Sequence, residues 1–144
     1  MGQTLYNVKN VHVTLVAGGT PYLIECRHED GFEDDPKNDA STSTTGSCGQ
    51  KVINITVDKS FGITISLLYG SSEHKTMEKI FAEWTRAGGN YPMSITTTDE
   101  NSKETYTYPN VTFKKRAGLS YTNEGGNQAR KWEFESDDRT FVEI

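Results

Sequence analysis

This sequence is short of cysteine, histidine, basic charge and long apolar runs, and each shortage removes a class of function. Two cysteines, Cys26 and Cys48, occur in 144 residues. They are too few for a disulfide framework and lack zinc-ligand spacing. Two readings of them stay open: a pair of reduced thiols, or a Cys26–Cys48 disulfide closing the segment between them, worth roughly 3 kcal/mol of loop-closure entropy. The three histidines, His12, His28 and His74, fall on separate elements with no His-x-x-x-His pair. Neither a G-x-S-x-G elbow nor a G-x-x-x-x-G-K-[ST] phosphate loop is present, so the converging groups of an active site are missing. No catalytic residue, metal or cofactor is expected.

Lys and Arg number 15 against 20 Asp and Glu, a net charge of -5. A DNA-reading surface needs a clustered basic face, and the short runs Lys114-Lys115-Arg116 and Arg130-Lys131 are too small to make one. No apolar run approaches the roughly 18 residues of a membrane span, and the start, "MGQTLYNVKN", has no apolar signal-peptide core. Synthesis and folding in the cytoplasm, with no membrane anchor, is the expectation.

What is present suffices for one small core. The chain is 33% hydrophobic and 10% aromatic, and its length fits a single domain over 1–144. Period-two alternation dominates. "VHVTLV" from Val11, the turn "GGTP" and "YLIECRHE" from Tyr22 predict a hairpin, and "VINITV" and "FGITISLLY" predict two further strands. In the second of these, Phe61, Ile63, Ile65, Leu67 and Tyr69 share one face. The period then changes: Met77, Ile80, Phe81 and Trp84 fall at helical spacing, with Ser71 or Ser72 as a cap and Gly88-Gly89 as a stop, which predicts one helix over about 73–87. "YPMSITTT", "ETYTYPNVTFKKRAG" interrupted at Pro109, and "ARKWEFES" read as extended. In the last, Arg130, Trp132 and Phe134 oppose Lys131, Glu133 and Glu135. The fold class is mainly β with one helix.

One stretch cannot help build a core. Residues 27–50, "RHEDGFEDDPKNDASTSTTGSCGQ", hold four Asp, two Glu and a Ser/Thr run with almost no apolar side chain. The acids suggest a calcium site, but they lack the order and closing Glu of the twelve-residue calcium loop. A soluble β-sandwich binding module, for calcium or a glycan, is the alternative reading of the whole chain.

The ordered series of these segments resembles the tail tube proteins of tailed bacteriophages, especially those with contractile tails. Its marks are Glu29-Asp30-Gly31-Phe32 after a hairpin, the Gly62 to Leu67 strand, the Ser-initiated helix Ser71 to Arg86, Pro109 to Gly118 ending in basic residues and Gly, and the Trp132 to Phe134 pair. The likeness covers nearly the whole chain. It departs in having a single Gly after the acidic segment and a Cys on each side of it.

The resemblance implies a β-sandwich, barrel-like protomer with a flanking helix, related to haemolysin-coregulated protein tubes. Such protomers assemble as hexameric rings whose strands join a continuous barrel, stacked into a tube that conducts DNA. It implies an extended polar inter-ring loop at about 30–50, including Asp30, Phe32, Glu33, Asp34, Asp35, Lys37 and Asp39. Polar-face residues Glu25, Arg27, Glu29, Asn54, Thr56, Lys131, Glu133 and Glu135 become candidates to line the lumen. The polar side of the helix, Lys75, Glu78, Lys79 and Glu83, becomes a candidate sheath contact. Implied partners are further copies of the chain, the tail sheath, the baseplate and the tail terminator. DNA would pass without specific binding, and the protein would be assembled in the host cytoplasm into a virion tail.

Overall fold

The first hairpin shows why the chain folds as it does. In β1 (Val11–Ala17) Val13, Leu15 and Ala17 are buried while the intervening residues are partly exposed. Gly18 and Gly19, at φ 59° and 85°, then reverse the chain into β2 (Thr20–Leu23). Two successive positive φ angles match the twist of the flanking strands, and only glycine adopts them without strain. Gly18 has a second constraint, because a Cβ there would lie 2.5 Å from the Tyr91 hydroxyl.

The computed structural model describes residues 11–25, 27–119, 121 and 129–143. The strands that follow are β3 (Arg27–Pro36), β4 (Ser41–Thr45), β5 (Lys51–Ile55) and β6 (Phe61–Leu67). After the helix α1 (Ser72–Arg86) come β7 (Met93–Asp99), β8 (Glu104–Tyr108), β9 (Thr112–Lys115), β10 (Arg130–Ser136) and β11 (Thr140–Glu143). They form a five-stranded sheet β11-β8-β7-β1-β2, a four-stranded sheet β3-β6-β10-β9 and a separate ribbon β4-β5. Every described ladder is antiparallel.

The core lies between the two larger sheets. Val13, Leu15 and Ile95 come from one and Ile63, Ile65, Leu67, Trp132 and Phe134 from the other, each at most 1% exposed. Strict alternation on both inner faces makes this a sandwich. Helix α1 starts at Ser71, whose Oγ accepts from the His74 N–H at 3.3 Å, and ends before Gly88 at φ 67°. It buries Met77 and Ile80, and Phe81 and Trp84 join Phe113 and Trp132 in an aromatic cluster with centroids 5.1 to 6.1 Å apart.

Two expectations change. The acidic segment is not a loop from residue 30: Arg27–Pro36 is a strand, in register with β6 from Phe32↔Ile65 to Pro36↔Phe61. Phe32 and Asp34 point to the core side, so the alternation expected of a strand is there with an acid in one apolar position. The Val52 to Val57 run, expected as a strand, is one as far as Ile55 but stands outside both sheets of the sandwich. It pairs with the Ser/Thr run as a ribbon, and Val52, Ile53, Ile55 and Val57 are 57 to 94% exposed.

Candidate assembly surfaces

The outward side of the four-stranded sheet is densely charged. Register places Glu33 and Asp35 of β3, Thr64 and Gly62 of β6, and Glu133 and Glu135 of β10 across from one another. Lys131 continues the β10 row, and Lys114 joins Glu33, Asp35 and Glu133 around a groove. Gly62 has a structural part here. With no side chain at that point, the Lys37 stem runs across the strand, 3.7 Å from where a Cβ would stand, and its ammonium pairs with Glu135 on the far side. Four acids, Glu33, Asp35, Glu133 and Glu135, stand against Lys37, Lys114, Lys131 and Lys115, the register partner of Glu133, so this face is densely charged with no net excess.

The eight residues expected on one polar face do not all lie together. Lys131, Glu133 and Glu135 share the charged side of β10. Asn54 and Thr56 lie on and just beyond β5 in the ribbon, away from that sheet's ladders. Glu25 is exposed near His12, Oε1 to Nδ1 3.4 Å, and Arg27 is half-buried, donating from Nη2 to the Val11 carbonyl at 2.7 Å. The side chains of Glu29 and Asp30 lie outside the described residues, as does Cys26, so the Cys26–Cys48 pairing does too. Cys48 is exposed in the turn between β4 and β5.

That ribbon is the tip of an arm. Its root is closed by three hydrogen bonds: Lys37 N–H to Ser60 O (3.1 Å), Thr56 N–H to Ala40 O (3.0 Å) and Asn38 Nδ2 to Asp58 O (3.3 Å). Asp39 is exposed at this root beside Ile55, Phe61 and Arg139. All ten residues of β4 and β5 are exposed.

The residues of the polar helix side divide. Lys75, Lys79 and Glu83 are exposed and Glu78 is half-buried. Glu78 accepts from Arg116 at 2.9 Å, with the guanidinium 4.6 Å over the Phe81 ring, and Glu83 accepts from Arg86 at 3.0 Å.

Asp34 is committed to the protein interior. It accepts from Tyr108 Oη at 2.5 Å and from Arg139 Nη1 at 2.9 Å, and Arg139 stacks 4.5 Å over Phe61 and 5.0 Å over Tyr106. Burial first, and then the Asp34 carboxylate, push the Tyr108 hydroxyl well above the usual tyrosine range. Sequence reasoning missed this cluster, since its members are 74 and 105 residues apart. It also missed His74, whose Nδ1 accepts from Trp132 Nε1 at 3.2 Å and whose pKa burial lowers. Among the described residues no three His, Cys, Asp or Glu side chains converge as metal ligands, and no helix is long and apolar enough to cross a membrane.

A family model described as "Bacteriophage PhiTE tail tube protein" matches residues 4–140. No curated protein sequence gives a significant match. Solved structures share the fold. A chain of the anti-feeding prophage baseplate, described as 6-fold symmetrised, superposes with a TM-score of 0.62 at 11% identity, covering 100% of this chain and 99% of that one. A chain of the PVC sheath-tube complex, an extracellular contractile injection system in its extended state, gives 0.59 at 14% identity over 96% and 91%. A chain of the anti-feeding prophage tube terminating cap gives 0.59 at 14% over 100% and 95%.

Proposed function

The chain belongs to the bacteriophage PhiTE tail tube protein family, and from that premise we propose that it forms hexameric rings which stack into the hollow conduit of a contractile tail, through which DNA leaves the virion. It is a structural tail protein; the ring number, the stacking and the passage of DNA are the proposal.

The observation that carries it is the four-stranded sheet. Among the described residues its edges, β3 and β9, have no neighbour, and its outward side is polar and charged from edge to edge. Open edges are an aggregation hazard, and closing a sheet into a barrel around a ring removes them. A face whose lysines are matched one for one by acids has no excess positive charge to hold phosphates, so a lumen built from it lets DNA slide. Glu133, Glu135, Glu33, Asp35 and Lys131 are the lumen-lining set on this reading. The arm from Lys37 to Ser60 leaves the sheet at the β3–β6 end and is the inter-ring element, with Asp39 at its root. The family and the neighbours in fold favour tail sheath, baseplate and tail terminator as further partners, with Lys75 and Lys79 on the side turned to the sheath. Assembly takes place in the host cytoplasm.

Electron microscopy of the purified protein over a range of concentrations, beside size-exclusion chromatography, tests this. Rings or hollow tubes with six-fold end views are expected. A protein that remains monomeric throughout, with a calcium-dependent rise in Tm, would overturn the conduit in favour of a binding module.

A further inference from the structure

Two surfaces of this chain carry almost no formal charge, and they match in size. The first is the arm. Between Ala40 and Val57 the one charged residue is Lys51. Ile53 and Ile55 project from one side of β5, 60% and 75% exposed, and Val57 follows two residues on at 94%. A two-stranded ribbon with this much exposed apolar surface is at best marginally stable alone.

The second is the outward side of the five-stranded sheet. Register aligns Leu23, Thr14, Thr96, Thr107 and Thr140 in one row that crosses all five strands. No Asp, Glu, Lys or Arg stands on that side at any paired position of these ladders; the charge nearest it is at one end, where Glu25 and Glu100 meet His12. The two other faces described above, the outward side of β3-β6-β10-β9 and the polar side of α1, would bring buried charge to an apolar partner.

We infer that the arm of one copy lies across the threonine face of a second copy. This rests on the tube reading above and names the surface that receives the arm. Desolvation decides between the surfaces: covering hydroxyls that find new hydrogen-bond partners costs little, whereas covering unpaired charges costs several-fold more. The side of the ribbon that carries Ile53 and Ile55 also carries Ser41, Ser43 and Thr45, which supply those partners, and Lys51, opposite Thr45 at the tip, whose long stem lets its ammonium stay in water beyond the contact. Dimensions agree as well. Five ribbon residues span about 17 Å, and five strands about 4.8 Å apart span about 19 Å. Because arm and face are different patches of one chain, the contact is head-to-tail and repeats, giving a ring or a filament in place of a closed dimer.

The test is photocrosslinking in the full-length chain, with p-benzoylphenylalanine in place of exposed Ile53, using assembled mixtures of isotopically light and heavy protein. Mixed light-heavy cross-links to peptides containing Thr96 or Thr107 are expected. Independently, T96K is expected to fold, by circular dichroism, and to lower tube yield at least tenfold, with yield recovered when I53E is added to the same chain. Tubes whose cross-links map to α1 or to β6 and β10 would overturn the receiving surface and leave the conduit standing. A monomer with no intermolecular cross-link would overturn both.

Discussion

Tyr108 donates its hydroxyl to Asp34 across 2.5 Å, and that bond ties β8 of the five-stranded sheet to β3 of the four-stranded sheet. Arg139, between β10 and β11, donates from Nη1 to the same carboxylate at 2.9 Å and completes the junction. The acidic run of the sequence is thus partly a fastening between sheets. Y108F leaves Asp34 with Arg139 and is expected to cost about 1 kcal/mol, the usual net worth of one hydrogen bond. D34A strands both Tyr108 and Arg139 and is expected to cost about 2 to 3 kcal/mol. Urea unfolding of the single and double variants measures this; additive losses would mean that the two residues are not coupled.

A second prediction concerns pH. His74 is neutral when it accepts from Trp132, and burial lowers its pKa below that of an unfolded chain. The unfolded state therefore takes up the proton first as pH falls. The stability contributed by neutral His74 is complete above about pH 6.5, the unfolded value, and is lost as pH drops through the lower folded value. H74Q removes the titration, so its Tm is expected to vary less between pH 7 and 5 than that of the wild type. Parallel profiles would show that other groups control this range.

Gly18 offers a test of backbone geometry. Its φ of 59° and the Tyr91 hydroxyl 2.5 Å from a built Cβ both oppose a side chain. G18A is expected to lower stability by about 1 to 2 kcal/mol, while G19A, with nothing within 4 Å, bears only the left-handed φ penalty of about 1 kcal/mol. Equal losses in denaturant melts would place the whole effect in the turn and none in Tyr91.

Strands whose two faces differ in chemistry were legible in the sequence. Ile63, Ile65 and Leu67 against Gly62 and Thr64, or Trp132 and Phe134 against Glu133 and Glu135, display the period directly, and the helix shows its stripe and both ends. The β4-β5 ribbon was not legible as a pair, because both faces are exposed and Ser41 to Thr45 alternates nothing. Nor was β3 as a whole, since Asp34 holds an inward position that only Tyr108 and Arg139, far away in the chain, make tolerable. The threonine row is visible only once register aligns Thr14, Thr96, Thr107 and Thr140, residues that look unremarkable strand by strand.

The arm should be separable from the body. Its root bonds close at Lys37 and Ser60, and none of its residues belongs to the buried core. Replacing residues 38–59 by a two-residue turn joining β3 to β6 is expected to leave a folded monomer whose Tm shifts by only a few degrees, with tube formation abolished. A deleted chain that still builds tubes would remove the arm from stacking.

The charged face makes the last prediction, one about transport. Glu133 and Glu135 are half-buried on β10, and Glu135 pairs with Lys37 across Gly62. A pair this accessible contributes on the order of 1 kcal/mol or less, so E133Q/E135Q is expected to fold and assemble. The substitution changes the face from balanced to two positive charges in excess, and with six copies per ring the wall becomes attractive to phosphate along its length. DNA release from virions carrying the double variant should then slow, and the slowing should shrink as salt rises and screens the wall. Ejection kinetics followed at two ionic strengths decide it. Slowing that ignores salt would point to a structural defect, and no slowing at all would take this face of the sheet out of the lumen.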